Sequence, residues 1–289
     1  GHLLGDTGDF SNTIYTGYKV PAAALSFTPF LESDPVIADV DGHFGGNYLD
    51  EETILAAAHD AGYDTASIGK LGPAAIFDAA DTLGTRTIVI DDATGRSDAD
   101  GNAVGRPLRP DVRDAVRQAT GGLQAPTRGA NGSPGSATMP GTTVANVEQQ
   151  NWFVAAATKA VLPAFKASGK PFVMVFWSRD PDGTQHNQGD SLGQLTPGIN
   201  GPTSLAAVKN ADDDLRALRV ALHDLGLEQS TDVIVTSDHG FSTISKASRT
   251  SPSTQYDFLP LLVAKGALPP GFLALDLSAA LKMPVSDPD

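Results

Sequence analysis

Short apolar runs rich in β-branched residues alternate with helical segments along this chain. We predict strands in these runs, at residues 63–68, 85–90, 172–177, 233–236 and 258–264. Helical patterns lie between and before them, at residues 51–61, 111–119, 144–167 and 202–225. Strands that alternate with helices form a mostly parallel sheet. The sequence therefore predicts an α/β fold whose mostly parallel sheet is sandwiched between helices.

The length of 289 residues allows one large α/β domain or two small ones. We predict a single core over residues 1–289, because 289 residues with 40 % hydrophobic content can bury a large core. Residues 120–143 are mostly glycine, proline, serine, threonine and alanine, so we expect a long loop there. Residues 1–50 are rich in glycine, aspartate and threonine and are also expected to be mostly loop.

The charge and residue content of the chain restrict its chemistry. The formal net charge is -14 and the pI is near 4.6, so a nucleic-acid polymer is not an expected partner. No apolar run reaches the roughly 20 residues that a membrane-spanning helix needs. The sequence has no cysteine, which excludes disulfides, thiolate metal ligands and a cysteine nucleophile within these residues. The candidate chemistry must come from other residue types.

Two short segments couple an aspartate to a histidine directly after a predicted strand. In SRDPDGTQHNQGD, Asp182 and His186 lie four residues apart across a glycine-containing turn. In TSDHGFS, Asp238 and His239 are neighbours. The carboxyl ends of parallel strands meet at one edge of a sheet, so we expect the four side chains to lie close together. Carboxylate oxygen and imidazole nitrogen suit zinc or manganese, so the pattern indicates a metal site.

These motifs resemble those of a known family. The segment from Pro181 to His186 is similar to the P-D-x-x-G-H motif of the phosphodiesterase and nucleotide-pyrophosphatase branch of the alkaline phosphatase superfamily, with Gln185 replacing the glycine before the histidine. The segment Ser237–Gly240 matches the S-D-H-G motif of that branch in full. The opening GHLLGDTGDFSN resembles the stretch that follows the nucleophile in that branch and ends in a phosphate-contacting asparagine, here Asn12.

The resemblance implies an alkaline-phosphatase-like core and a phosphoric ester hydrolase that acts on small-molecule phosphate esters through a phospho-enzyme. It implies two divalent metal ions, and zinc is the first candidate for both. One would be held by Asp182 and His186, and the other by Asp238 and His239. Substrate contacts would come from Asn12 and from Lys70 in the segment IGKLG. The family also implies a periplasmic or secreted location.

Part of the family site is not visible in the sequence. The resemblance places the threonine or serine nucleophile before Gly1, so the catalytic residue itself is unknown. It also requires a further histidine near the carboxyl terminus, and no histidine follows His239. We therefore expect an incomplete core that binds zinc weakly or not at all and has negligible hydrolytic activity, because a catalytic zinc normally has three protein ligands.

Other interpretations remain open at this stage. A sulfatase or a phosphoglycerate-mutase-like enzyme of the same superfamily would share the Asp/His pairs, although Gly72 stands where related sulfatases have a histidine. A non-catalytic binding module would explain the missing half of the site. Individually, Asp182 could shape a turn, His239 could be a buried imidazole, and Lys70 could be an ordinary surface lysine. The acidic run from Asp212 to Asp214 is predicted to be a solvated helix face.

Overall fold

A computed structural model of the chain describes residues 52–132, 141–190 and 200–241. Asn12, the predicted loop at 1–50 and the predicted strand at 258–264 lie outside the described residues, as does part of the predicted loop at 120–143. The Asp/His segments and Lys70 lie within them.

In the described residues, three parallel strands form the sheet. They are β1 (Asp64–Gly69), β2 (Thr87–Asp91) and β3 (Phe172–Trp177), and the sheet order is β2-β1-β3. In the registers of both pairs, Ile68 of β1 lies opposite Ile90 of β2 and Phe176 of β3. All three strands were predicted from their apolar runs, and the predicted α/β class with a parallel sheet is confirmed.

Helices cover this sheet. The α-helices are α1 (Ile54–Asp60), α2 (Pro73–Ile76), α3 (Pro110–Thr120), α4 (Val147–Ala156), α5 (Leu162–Ser168), α6 (Asp182–Asn187) and α7 (Pro202–Asp224). A π-helical segment, Ala157–Val161, joins α4 to α5, so residues 147–168 form one continuous helix. Short 3₁₀ segments occupy Gly129–Gly132 and Glu228–Ser230. Within the described ranges, no helix combines the length and hydropathy that a membrane crossing requires.

The apolar core lies between the sheet and the helix over residues 147–168. Ile68 and Ile90 are fully buried there and belong to the same cluster as Phe153 and Val161. Val116 on α3 closes the cluster from a second helix. A fully buried side chain of this size contributes about 1.5–3 kcal/mol relative to an exposed one, so this layer holds the three strands in place.

The prediction of a strand at residues 233–236 is wrong. These residues have no strand partner in the described part of the chain, and Val233, Ile234 and Val235 are 47 %, 87 % and 71 % exposed. β-Branched residues favour an extended backbone, but a strand also needs a neighbouring strand to satisfy its hydrogen bonds. β3 is only half-buried along its length, because β1 is the one described strand that pairs with it.

Two further predictions need correction. Asp182 and His186 lie on the short helix α6 instead of a turn. The acidic run on α7 is not wholly solvated, because Asp214 is only 4 % exposed while its neighbour Asp212 is exposed. The buried stripe of α7 contains Asn210 and Asp214, whereas Leu205 and Val208 point to solvent.

Candidate active site at the carboxyl edge of the sheet

Charged side chains follow all three strands at the carboxyl edge of the sheet. Lys70 comes directly after β1, Asp92 directly after β2, and Arg179 two residues after β3. They line a cavity of about 450 Å³. Open α/β sheets bind ligands beyond the carboxyl ends of their strands, so this edge is the candidate active site.

The aspartate and histidine side chains of the two motifs meet beside this cavity. Asp182 Oδ1 lies 3.3 Å from His186 Nε2, one helical turn further along α6. The same oxygen lies 3.4 Å from His239 Nε2. Asp238 Oδ2 lies 3.6 Å from His239 Nε2. The structure therefore brings together all four side chains that the sequence singled out, with Asp182 between the two histidines instead of paired with His186 alone.

Lys70 links this cluster to the cavity. Its Nζ donates to Asp182 Oδ2 at 3.5 Å, and its side chain is only 16 % exposed, unlike an ordinary surface lysine. Burial raises the pKa of Asp182, but its interaction with His186 and the positive charge of Lys70 outweigh burial and lower the pKa to about 2. Asp182 is thus a carboxylate at neutral pH, which is the form that can bind a cation.

The donor atoms of the cluster suit a divalent metal. Asp182 Oδ1 is buried and has no hydrogen-bond partner among the described residues. His239 Nδ1 lies 3.0 Å from the carbonyl oxygen of Gly240, which can only accept, so Nδ1 carries the proton and Nε2 presents its lone pair to Asp182 in the neutral ring. Metal-bound histidines commonly donate their second nitrogen to a backbone carbonyl in this way.

The distances between the donor atoms also fit a metal site. Ligand atoms about 2.0–2.1 Å from a tetrahedral zinc lie about 3.3 Å from each other, close to the separations of Asp182 Oδ1 from the two histidine nitrogens. Within 52–132, 141–190 and 200–241, however, no three histidine, aspartate or glutamate side chains form a ready metal cage. The structure thus shows neighbouring donor atoms that fit a metal, and not a completed coordination shell.

Several neighbours of the cluster were not predicted. Phe241 packs edge-on against His186 and tilted against His239, with ring centroids 4.9 Å and 5.4 Å apart, so one aromatic ring supports both imidazoles. The position of Phe241 in the sequence, two residues after His239, could have identified it. His239 itself is 49 % exposed, which excludes the interpretation as a buried structural imidazole.

A hydrogen-bond network around Asp92 was also missed. Asp92 accepts from Arg179 Nη1 at 2.8 Å, from the backbone of Leu71 at 2.9 Å and from Gln149 Nε2 at 2.7 Å. Gln149 comes from α4, so this carboxylate ties all three strand ends to the covering helix. The placement of Asp92 and Arg179 just after strands could have identified them from the sequence.

Comparison with known proteins identifies the family. The family model for type I phosphodiesterase / nucleotide pyrophosphatase matches residues 27–259, which include Lys70 and both Asp/His motifs but not Asn12. No curated protein and no solved structure matches the chain. The family lies in the alkaline phosphatase superfamily, in agreement with the α/β fold and the motifs. Because the match covers most of the chain, the chain belongs to the type I phosphodiesterase / nucleotide pyrophosphatase family.

Proposed function

We propose that the protein is a metal-dependent hydrolase of small-molecule phosphate esters, and that its reaction passes through a phospho-enzyme formed on the hydroxyl nucleophile of the family. The observation that carries this proposal is the proximity of Asp182, His186 and His239 at the carboxyl edge of the sheet. The family is one of phosphoric ester hydrolases, which supports the reaction class.

The metal ligands would be Asp182 and His186 for one ion and Asp238 and His239 for the other. Divalent zinc, when bound, supplies Lewis-acid stabilisation of the charge that develops on phosphoryl oxygens. The ionised Asp182 supplies negative charge, and the hydrogen bond from His239 Nδ1 to the carbonyl of Gly240 orients its ring. Phe241 packs against both imidazoles and restricts their rotation.

Lys70 would bind the phosphate of the substrate. Its ammonium lies between the Asp/His cluster and the cavity, at 3.5 Å from Asp182. A cation at this place can contact a nonbridging phosphoryl oxygen and stabilise negative charge as the ester bond breaks. Asn12 remains a proposed second phosphate contact from the family resemblance alone.

The sulfatase alternative is less compatible with the backbone. Related sulfatases have a histidine at the position of Gly72, and Gly72 here is buried with φ of 83°. Residues with a β-carbon rarely adopt this left-handed conformation, so a histidine at residue 72 would be strained. This local geometry disfavours the histidine of related sulfatases at this position.

The test is an assay of the full-length protein with bis-p-nitrophenyl phosphate and zinc. We expect His239→Ala to lower kcat/KM by more than the 10–100-fold typical of outer partners of metal ligands. His223→Ala is the matched control, because His223 is an exposed histidine at the end of α7, and we expect it to retain wild-type turnover. Equal turnover of both variants would refute the proposal and favour a non-catalytic module.

A further inference from the structure

The cavity beside the Asp/His cluster is strongly basic in an otherwise acidic protein. Four cationic side chains line it, namely Lys70, Arg96, Arg128 and Arg179, against the single carboxylate of Asp92. The whole chain carries a formal net charge of -14. A concentration of positive charge at one concave place in such a chain raises the local concentration of anions.

Two of the arginines are held in fixed positions. Arg179 Nη1 donates to Asp92 Oδ2 at 2.8 Å. Arg128 donates through Nε and Nη2 to Asn131 Oδ1, and through Nη2 to the carbonyl oxygen of Gly183 at 2.6 Å. A β-carbon on residue 183 would lie 2.8 Å from Arg128 Nη2, so the glycine permits this close approach. These contacts place Arg128 next to the helix that carries Asp182.

Lys70 pairs with Asp182 and Arg179 with Asp92, but Arg96 and Arg128 form no ion pair with a carboxylate of the described residues. Arg128 has no carboxylate partner among its hydrogen bonds, and Arg96 makes no side-chain hydrogen bond or ion pair with another described residue. The Nε atoms of Arg96 and Arg179 are buried without a hydrogen-bond partner in the described part of the chain. Burial and the neighbouring charge of Arg179 lower the pKa of Arg128. A bound anion would satisfy these donors and relieve the repulsion between the arginines.

We propose that Arg96, Arg128 and Arg179 form a subsite for a second acidic group of the substrate, distinct from the phosphate group that reacts at the Asp/His cluster. Guanidinium groups bind the paired oxygens of phosphate and carboxylate groups through two parallel hydrogen bonds. Lys70 lies between the two places, because it lines the cavity and also contacts Asp182. The reacting ester and the second acid would therefore lie on opposite sides of Lys70.

This inference rests on the proposed function and specifies its substrate class. The substrate would carry at least two acidic groups, and a singly charged diester such as bis-p-nitrophenyl phosphate would leave the subsite empty. A volume of about 450 Å³ can accommodate a phosphate or carboxylate group together with part of the molecule that carries it.

The test measures anion binding to chelator-treated protein by calorimetry, so that neither metal nor turnover contributes. Inorganic pyrophosphate and malonate are the two probes, which represent phosphate and carboxylate sources of the second acid. Arg96→Gln is the test variant, because Arg96 has no described partner whose loss would disturb the fold. Arg117→Gln is the control, since Arg117 is an exposed arginine on α3.

We expect wild-type protein to bind at least one probe and Arg96→Gln to weaken that binding about tenfold, as expected for the loss of a hydrogen bond between charged groups. Arg96→Lys should recover part of the affinity, because it restores the charge without the planar fork. The probe that binds more tightly identifies the source of the acid.

The proposal is overturned if neither probe binds, or if Arg96→Gln and Arg117→Gln bind as the wild type does. The outcome is separable from that of the proposed function. Anion binding that depends on Arg96, together with no hydrolysis of any phosphate ester, would keep the subsite and refute the hydrolase. Hydrolysis that depends on His239, without anion binding that depends on Arg96, would keep the hydrolase and refute the subsite.

Discussion

Substitution of Asp214 by asparagine should stabilise the protein and remove part of its dependence on pH. Asp214 lies on α7, is 4 % exposed, and its Oδ2 is buried without a hydrogen-bond partner among the described residues. Burial, followed by the negative charge of Asp180, raises its pKa to about 7. An aspartate that is costly to ionise in the folded protein destabilises that protein whenever the pH forces it to ionise.

The magnitude follows from the difference between folded and unfolded pKa values. A rise from 3.8 to about 7 is about 3 units, and each unit corresponds to about 1.4 kcal/mol, so the upper bound is about 4 kcal/mol. The folded state binds the proton of Asp214 more tightly than the unfolded state does. The contribution of this group to the free energy of unfolding is therefore largest below pH 4, falls as the pH rises from 4 to 7, and is constant above pH 7. Relaxation and the cost of burying an amide reduce the net gain of Asp214→Asn to about 2 kcal/mol at pH 8.

Urea unfolding at pH 5, 6, 7 and 8, followed by far-UV circular dichroism, measures this effect. Asp214→Asn should show a higher midpoint than the wild type at pH 8 and a smaller fall in midpoint from pH 5 to pH 8. Asp212→Asn is the matched control, since Asp212 is an exposed neighbour on the same helix. The reasoning is refuted if both variants have the same pH dependence as the wild type.

Two further substitutions probe the candidate site. Lys70→Met should raise KM for bis-p-nitrophenyl phosphate about tenfold, because it removes the cation beside Asp182. Lys170→Met, at an exposed lysine, should leave KM unchanged. Steady-state kinetics that give the same KM for both variants would contradict the assignment of Lys70. Gly183→Ala should displace the guanidinium of Arg128, because the added carbon would lie 2.8 Å from its Nη2. The end of this long side chain can move, so the free energy of unfolding in urea should fall by only about 1 kcal/mol, and a loss above about 3 kcal/mol would contradict this reading.

The sequence pattern was sufficient to predict an element where its local preference agrees with its long-range contacts. The three strands were predicted because their apolar runs match the core that they form. Helical periodicity identified α7, although the stripe that this helix buries is partly polar. The run at residues 233–236 has the same local signal, but the described chain offers it no pairing strand. Strand propensity does not contain information about partners, so this error could not have been avoided from local sequence.

Asp214 was misread for a different reason. It lies four residues before Leu218 and eight before Leu222, on the same stripe of α7 as the buried Leu222. Helical spacing therefore placed one member of the acidic run inside, although residue type suggested solvent.

The candidate site was predicted in part. The Asp/His side chains are found close together because His186 is one turn from Asp182 and the path after α7 returns the second motif to the same edge. The arginines were not predicted, since Arg96 and Arg128 lie in irregular segments whose course depends on glycine turns and side-chain hydrogen bonds. Hydrophobic periodicity in the sequence does not predict the path of such irregular segments.

The most direct test of the central claim is a calorimetric titration of the metal-free, full-length protein with zinc. The account predicts saturable binding by the wild type and by His223→Ala, and at least a tenfold weaker affinity for His186→Ala and His239→Ala, because each removes an imidazole donor beside Asp182. Equal zinc affinity in all four proteins, or no binding by the wild type, would contradict the assignment of these side chains to a metal site.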